Sequence, residues 1–230
     1  MLSVRNRLMP TPLSPIELQY LYEKRLAPNM SYRRKVWDEL CAYFSRWVPG
    51  DATVLDLGCG YCEFINGIKC GRKYAMDLNP ASAAHAGKDV TLLAQDCSEP
   101  WNLPPGSLDV VFTSNFFEHL PDKAALESTL EQAIRSLRSG GRLIAMGPNI
   151  KYVPGAYWDF FDHYLQLTEL SLAEALHLKG FAIETCIDRF MPYTMSQGRT
   201  YPILAVKVYL ALPVVWRFFG RQLLVVAVKP

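Results

Sequence analysis

Val54-Leu55-Asp56-Leu57-Gly58-Cys59-Gly60-Tyr61-Cys62 decides how this chain is read, because an apolar run carrying one acid breaks there into a turn with two glycines. Glycine takes positive φ without penalty and lets the backbone approach a ligand closely, which is why the first strand-to-helix turn of a doubly wound sheet so often binds a nucleotide. A Gly-x-Gly alone says little. Asp77 sharpens it, since it ends the next strand-like run, Arg72-Lys73-Tyr74-Ala75-Met76, at about the 20-residue offset expected of an acid that takes ribose hydroxyls. Where a dinucleotide fingerprint has its third glycine this chain has Glu63. A pyrophosphate beside Asp56 and Glu63 would set like charges together at lowered dielectric, whereas a zwitterion bearing a cationic amine and a sulfonium would be favoured.

Outward from that turn, strand and helix patterns alternate. Strands are expected over 53–57, 72–76, 90–94, 108–113, 181–187 and 222–228, with a short helix near 61–68, a weak one after Pro80, and a longer one opened by Pro121-Asp122 and running to Leu137, where Arg138-Ser139-Gly140-Gly141 stops it. Thr168 or Ser171 caps a further helix through Leu178. Such alternation at short spacing predicts an α/β, doubly wound, mostly parallel sheet with helices on both faces. Ligands of such sheets bind beyond the carboxyl ends of the strands, where Gly58, Asp77, Asp96 and Asn115 gather.

Upstream, residues 1–13 hold Pro10 and Pro12 without periodicity and are expected to form a flexible arm, leaving 14–230 as a single domain. Residues 14–50 read as a helical cover. Ser14-Pro15 starts a helix through Ala27, and Ser31 caps a second through Trp47, with Val36, Leu40, Tyr43, Phe44 and Trp47 at helical spacing. At 230 residues and 50% hydrophobic the chain can bury one substantial core, and its formal net charge of +2 is too mild for a nucleic-acid footprint. Its longest basic block, Arg33-Arg34-Lys35, reads as the solvated face of a helix. The N-terminus shows no apolar signal core, which favours a cytoplasmic address. Six cysteines spread through core and turn positions read as reduced thiols. A zinc site from Cys59, Cys62 and Cys70 is disfavoured because the pair lies inside the glycine turn and no second pair follows, so no metal is expected.

The run Asp56-Leu57-Gly58-Cys59-Gly60 resembles the first motif of the class I methyltransferases, which use S-adenosyl-L-methionine. The resemblance extends from about Val54 to Phe181: Asp77 matches the ribose acid, Asp96 in Ala94-Gln95-Asp96-Cys97 the residue near the adenine amino group, and residues 107–120, with Asn115, Phe116, Phe117, Glu118 and His119, the fourth strand and the loop facing cofactor and substrate. Gly140-Gly141-Arg142-Leu143-Ile144-Ala145-Met146 matches the turn and fifth strand. The resemblance implies a seven-stranded Rossmann-like methyltransferase sheet with the last strand antiparallel, and cofactor contacts from Asp56, Gly58, Cys59, Gly60, Asp77, Leu78, Asp96, Cys97, Asn115 and Phe116. It also implies that the N-terminal helices cover the cofactor, with Tyr20, Tyr22, Arg25 and Tyr32 as candidates to face it. Cys62 stands where many relatives have a third glycine.

Methyl transfer to a hydroxyl needs a proton acceptor, and histidine suits neutral pH. His163 lies in the aromatic segment Tyr157-Trp158-Asp159-Phe160-Phe161-Asp162-His163-Tyr164, with Asp159 and Asp162 near in sequence to orient its ring, and His119 lies in the loop after the fourth strand. His163, His119 and Asp159 are therefore the catalytic candidates, and the aromatic residues could wall an acceptor pocket or form core. The loop lacks the Asn/Asp-Pro-Pro-Tyr signature of amino-methylating enzymes that act on nucleic-acid bases. The reading is O-methylation of a small-molecule acceptor, and residues 158–164 resemble bacterial enzymes of glycan and secondary-metabolite pathways, so that a sugar, glycan precursor or lipid-linked acceptor is implied. Alternatives are a C- or N-methyltransferase, a non-catalytic partner subunit, and a nicotinamide dehydrogenase. An apolar insertion at 188–221, with 201–216 apolar but for Lys207, is too short to span a bilayer. It stays open as a lid helix, a face resting on a membrane or lipid-like substrate, or a dimer interface; the oligomeric state is likewise open.

Overall fold

The computed structural model describes residues 14–26, 29–193 and 200–230. The expected arm at 1–13 and the end of the first helix at Ala27 lie outside them. Seven strands form one sheet in the order β3-β2-β1-β4-β5-β7-β6. They are β1 (Thr53–Leu57), β2 (Arg72–Met76), β3 (Val90–Leu93), β4 (Leu108–Ser114), β5 (Leu137–Pro148), β6 (Ala182–Ile187) and β7 (Gln222–Val228). β1 through β5 pair in parallel, and β7 enters antiparallel between β5 and β6. Among the described residues seven α-helices accompany them: α1 (Pro15–Leu26), α2 (Met30–Phe44), α3 (Glu63–Gly67), α4 (Lys123–Ser136), α5 (Glu169–Leu178), α6 (Ile203–Ala211) and α7 (Pro213–Phe219). This is the doubly wound fold that the class I resemblance implies.

Each central strand feeds a core on both faces. On one, Val54 and Phe112 meet α2 and α3 through Phe44 and Phe64, whose ring stacks on Phe112 at 3.6 Å, and Leu210 and Trp216 close the cluster from α6 and α7. On the other, Leu55, Leu57 and Val111 meet Leu126 and Leu130 of α4 and Leu172 and Leu176 of α5. Burial on both sides explains why β7 reads as the unbroken run Gln-Leu-Leu-Val-Val-Ala-Val rather than an alternation. The order of strands reverses between β1 and β4, the topological switch that opens a crevice beyond their carboxyl ends.

Local chemistry sets the helix ends, in places differently from expectation. Ser14 and Glu17 exchange capping bonds at the start of α1. α2 begins earlier than Ser31, with Asn29 in the left-handed region (φ 62) as its N-cap, so Ser31 lies within the helix, which ends at Phe44 instead of Trp47. The segment after Pro80 is a 3-10 turn, Pro80–Ala84, held by Asn79 accepting from the Ala81 N–H. α4 starts at Asp122, whose carboxylate accepts from Ala125, but stops at Ser136; Leu137 is already extended, and the expected stop signal at 138–141 belongs to the start of β5. There Arg138 pairs with Asp109 and the Gly140 N–H donates to Lys229. Thr168, not Ser171, is the cap of α5, and the two form a reciprocal capping box. The insertion folds as two helices, because Pro213 serves as the first residue of α7. No helix among the described residues is long and apolar enough to cross a membrane.

Candidate functional site

One cavity opens at the switch between β1 and β4. The turn leaving β1 builds its floor. Gly58 (φ 70) and Gly60 (φ 54) both take left-handed conformations, and so does Cys62 (φ 59), which fills the place of the expected third glycine at a cost of about 1 kcal/mol. A Cβ on Gly58 would fall 2.2 Å from Cγ of Phe116, so only glycine lets the loops after β1 and β4 touch. The turn is held by the Gly58 and Cys59 N–H groups donating to Met76 O, and by the Gly60 N–H donating to Asp77 Oδ2 at 2.8 Å. Asp77 Oδ1 accepts from Asn79 at 2.8 Å.

Asp77 therefore shapes the turn and lies directly behind it, and Tyr22 of α1 donates to both of its oxygens at 3.3 and 3.4 Å. Burial raises the Asp77 carboxyl despite the bonds from Asn79, Gly60 and Tyr22, and raises the Tyr22 phenol further still. Asp56 lines the cavity and is 3% exposed; burial lifts its carboxyl well above the usual range, against a bond from the Ile65 N–H. Glu63 also lines it but is paired with Arg33 at 2.7 Å. Arg33 is thus buried and not part of a solvated face. Trp37 lines the same cavity, and its indole N–H is buried without a partner.

The loop leaving β4 brings Asn115 (φ 50) and Phe116 to the cavity, with the Asn115 N–H donating to Met146 O. Beyond them Glu118, His119 and His163 converge: one ligand-capable atom of each lies within 4.8 Å of the other two. The segment carrying His163 is tied to this loop, since the Tyr164 and Leu165 N–H groups donate to Glu118 O. Asp162, 5% exposed, accepts two bonds from Arg25 at 2.8 and 2.6 Å and one from His119 Nδ1 at 3.1 Å. Burial would raise the Asp162 carboxyl, but His119 and Arg25 outweigh it and hold it far below the carboxylate range. For His119 burial acts downward, yet Asp162 and Glu118 raise it overall. Burial pushes His163 down to about 4, with the His119 charge adding to the effect, and burial carries Glu118 up to about 7.

Of the residues singled out by sequence, Asp56, Gly58, Cys59, Gly60, Asn115, Phe116, His119 and His163 line this one cavity. Leu78 is 48% exposed and does not. Asp96 turns its Oδ1 to the N–H and hydroxyl of Ser98, and Cys97 is buried against Thr129, burial lifting its thiol to about 12. Neither lines the cavity. Asp159 is exposed and does not orient His163, whose Nδ1 has no partner; the orienting carboxylate is Asp162, and it serves His119. Among the aromatic residues expected to wall the pocket only Phe160 does so, stacked on His163 at 4.8 Å and under Arg25. Tyr157 is core and donates to Leu165 O, while Trp158 and Phe161 are exposed. Tyr22 and Arg25 face the cavity as expected of α1, but Tyr20 is exposed and Tyr32 accepts from the Tyr201 N–H. Cys59 and Cys62 lie 3.6 Å apart at sulfur, whereas Cys70 turns to Arg72 O, so the three do not converge.

Sequence reading missed Arg33, Trp37, Tyr193 and Gln222 as cavity residues, and gave Glu118 a place in the loop facing the site but no role. None of those four carried a signal in the sequence, whereas Glu118 stands beside His119. From the insertion Tyr193 reaches the cavity, whereas α6 and α7 contribute no lining residue. They pack through Leu210 and Trp216 and leave Leu204, Val214, Phe218 and Phe219 exposed.

Residues 55–145 match the family described as "Methyltransferase domain". A Mycolicibacterium smegmatis protein named as a probable S-adenosylmethionine-dependent methyltransferase is 31% identical over 144 residues, which are 60% of this chain and 54% of that one. The chain thus spans about half the length of the curated relative it matches. In fold it is similar to a SAM-dependent methyltransferase from Archaeoglobus fulgidus, with TM-score 0.67 and 19% identity over 92% of this chain and 99% of the other. It is also similar to geranyl diphosphate C-methyltransferase from Streptomyces coelicolor, solved with Mg2+, geranyl diphosphate and S-adenosyl-L-homocysteine, with TM-score 0.60 and 13% identity over 83% and 80% of the two chains.

Proposed function

We propose that this chain, which has the class I methyltransferase fold and a methyltransferase domain over residues 55–145, transfers a methyl group from S-adenosyl-L-methionine to a hydroxyl oxygen of a small-molecule acceptor. The observation that carries the reading is a single cavity with a buried acid and a two-glycine turn contributed by β1, and a Glu-His-His cluster behind Asn115 and Phe116 contributed by β4 and the 160s segment.

The donor set fits the zwitterionic cofactor. Asp56 offers a desolvated carboxylate to a cationic amine, and Arg33 and the unpartnered Trp37 N–H are donors for a carboxylate. Asp77 has the place and chemistry for ribose hydroxyls once Tyr22 gives way. Gly58 and Phe116 leave no room for a side chain between the two loops, which fixes where the backbone meets the ligand. When bound, the cofactor supplies an electrophilic methyl carbon on a sulfonium. The chain's own task is to align the acceptor oxygen with that carbon and to keep water out. Phe116 and Phe160 provide apolar walls, and the Nδ1 of His163, buried without a partner, is free to meet an acceptor hydroxyl. The proton lost from that hydroxyl passes to the Glu118–His119–His163 cluster. The resemblance of residues 158–164 supports a sugar, glycan-precursor or lipid-linked acceptor.

Calorimetry with S-adenosylhomocysteine, beside S-adenosylhomocysteine release on a panel of hydroxylated sugars and lipid-linked glycans, tests the reading. Binding and turnover are expected. Binding of NADH in its place refutes it, binding without turnover on any acceptor favours the non-catalytic alternative, and full turnover in His163→Ala favours methylation of carbon or nitrogen.

A further inference from the structure

The Glu118, His119 and His163 cluster is built as metal sites are built. We propose that these three side chains bind a divalent transition-metal ion, with zinc as the best match to their donor set. Their ligand atoms already lie within 4.8 Å of one another, and bonds of about 2.0–2.2 Å to a common centre need only small side-chain adjustments to be made. The tautomers are set from outside. His119 commits Nδ1 to Asp162, at 3.1 Å to the carboxylate and 3.0 Å to the backbone oxygen, and so keeps Nε2 for a ligand. His163 is 5% exposed with its Nδ1 unpartnered. A histidine that spends one nitrogen on a carboxylate or carbonyl and bares the other is the outer-shell pattern that orients metal ligands.

Arg25 completes that shell by fixing Asp162 through two bonds, so the support of His119 is itself locked. Glu118 brings the third donor, 4% exposed at the side of the two imidazoles, where a dication would balance its buried charge. Two nitrogens and one oxygen suit zinc, iron, cobalt or manganese better than calcium or magnesium, which take oxygen ligands. Three protein ligands leave a coordination position open, and all three residues line the cavity, so that position faces the space assigned to the acceptor. The proposal deepens the methyl-transfer reading of this cavity by replacing one feature of it: with the ion bound, Nδ1 of His163 would be a ligand, and an acceptor hydroxyl would meet the open coordination position instead of that nitrogen; the ion's binding does not depend on that reading.

The test is metal binding by tag-free, chelator-stripped full-length protein, with no cofactor or acceptor present. Zinc titration by calorimetry is expected to show one equivalent, and Co2+ to give the visible absorption of a low-coordinate site. His163→Asn and Glu118→Gln, both close in shape to the parent side chains, should each abolish the stoichiometric step, and Asp162→Asn should weaken it about 10–100-fold. Retained S-adenosylhomocysteine binding in these variants shows that the fold is intact. Absence of zinc and Co2+ binding in the unaltered protein overturns the proposal, as does unchanged affinity in both ligand variants; either result leaves the methyltransferase reading to its own assay.

Discussion

Replacing Asp77 by alanine removes an acceptor that the cofactor-free protein already uses heavily. Its oxygens take the Gly60 and Asn79 N–H groups at 2.8 Å and, more loosely, the Tyr22 hydroxyl at 3.3 and 3.4 Å. The two backbone bonds occupy one lone pair on each oxygen, which leaves one on each for a ribose diol in place of Tyr22. Two charge-assisted bonds are worth about 1.5–3 kcal/mol each, and giving up the long Tyr22 contact costs about 1 kcal/mol. The net is about 2–5 kcal/mol, so Asp77→Ala should weaken S-adenosylhomocysteine binding by about 30-fold to 4,000-fold in calorimetry. Tyr22→Phe should do the reverse, leaving affinity unchanged or tightening it up to about fivefold. Because alanine also strands two backbone N–H groups, a thermal melt must accompany the titration, so that lost affinity is read only from protein that is still folded. An unchanged Kd in Asp77→Ala, or a loss in Tyr22→Phe as large as that in Asp77→Ala, refutes the placement of the ribose.

Gly58→Ala should destabilise the protein and weaken cofactor binding together, because its Cβ meets the Phe116 ring at 2.2 Å on a backbone with φ 70; a melting temperature equal to that of the unaltered protein would show that the loops can part at no cost. Stability should also fall in acid through Glu169. Burial acts to raise this carboxyl, but Lys151 and Asn149 outweigh it and leave it lowered, so its contribution is complete above about pH 4.5 and is lost as pH drops through the depressed folded value. Urea midpoints from pH 6 to pH 3 should therefore fall less steeply in Glu169→Gln; parallel curves would remove Glu169 from the account.

The sequence made the scaffold legible wherever burial imposes a local pattern. The runs at 53–57, 72–76 and 222–228 coincide with β1, β2 and β7, and the two-glycine turn lies at the switch point. Helix ends were less legible, because backbone geometry sets several of them: α2 begins from a left-handed Asn29, ahead of Ser31, and Pro213, inside an apolar run, is the first residue of α7. The far half of the site was hardest to read. Which of Trp158, Phe160 and Phe161 turns inward depends on how an irregular segment packs, and only Phe160 does. Asp159 and Asp162 looked equivalent beside His163, yet the partner that distinguishes them is Arg25, 137 positions away in the chain. Long-range ion pairs of that kind leave no periodicity to detect.

Tyr22 and Arg25 are three residues apart on α1, hence neighbours on one helical surface, and they hold the two ends of the crevice: one clasps Asp77, the other Asp162. Whatever levers the phenol away by shifting the helix also tugs the guanidinium. The two ends of the crevice are thereby joined through one turn of α1, and any coupling between them would be equal in both directions. A single turn of helix thus supplies a side chain to each compartment.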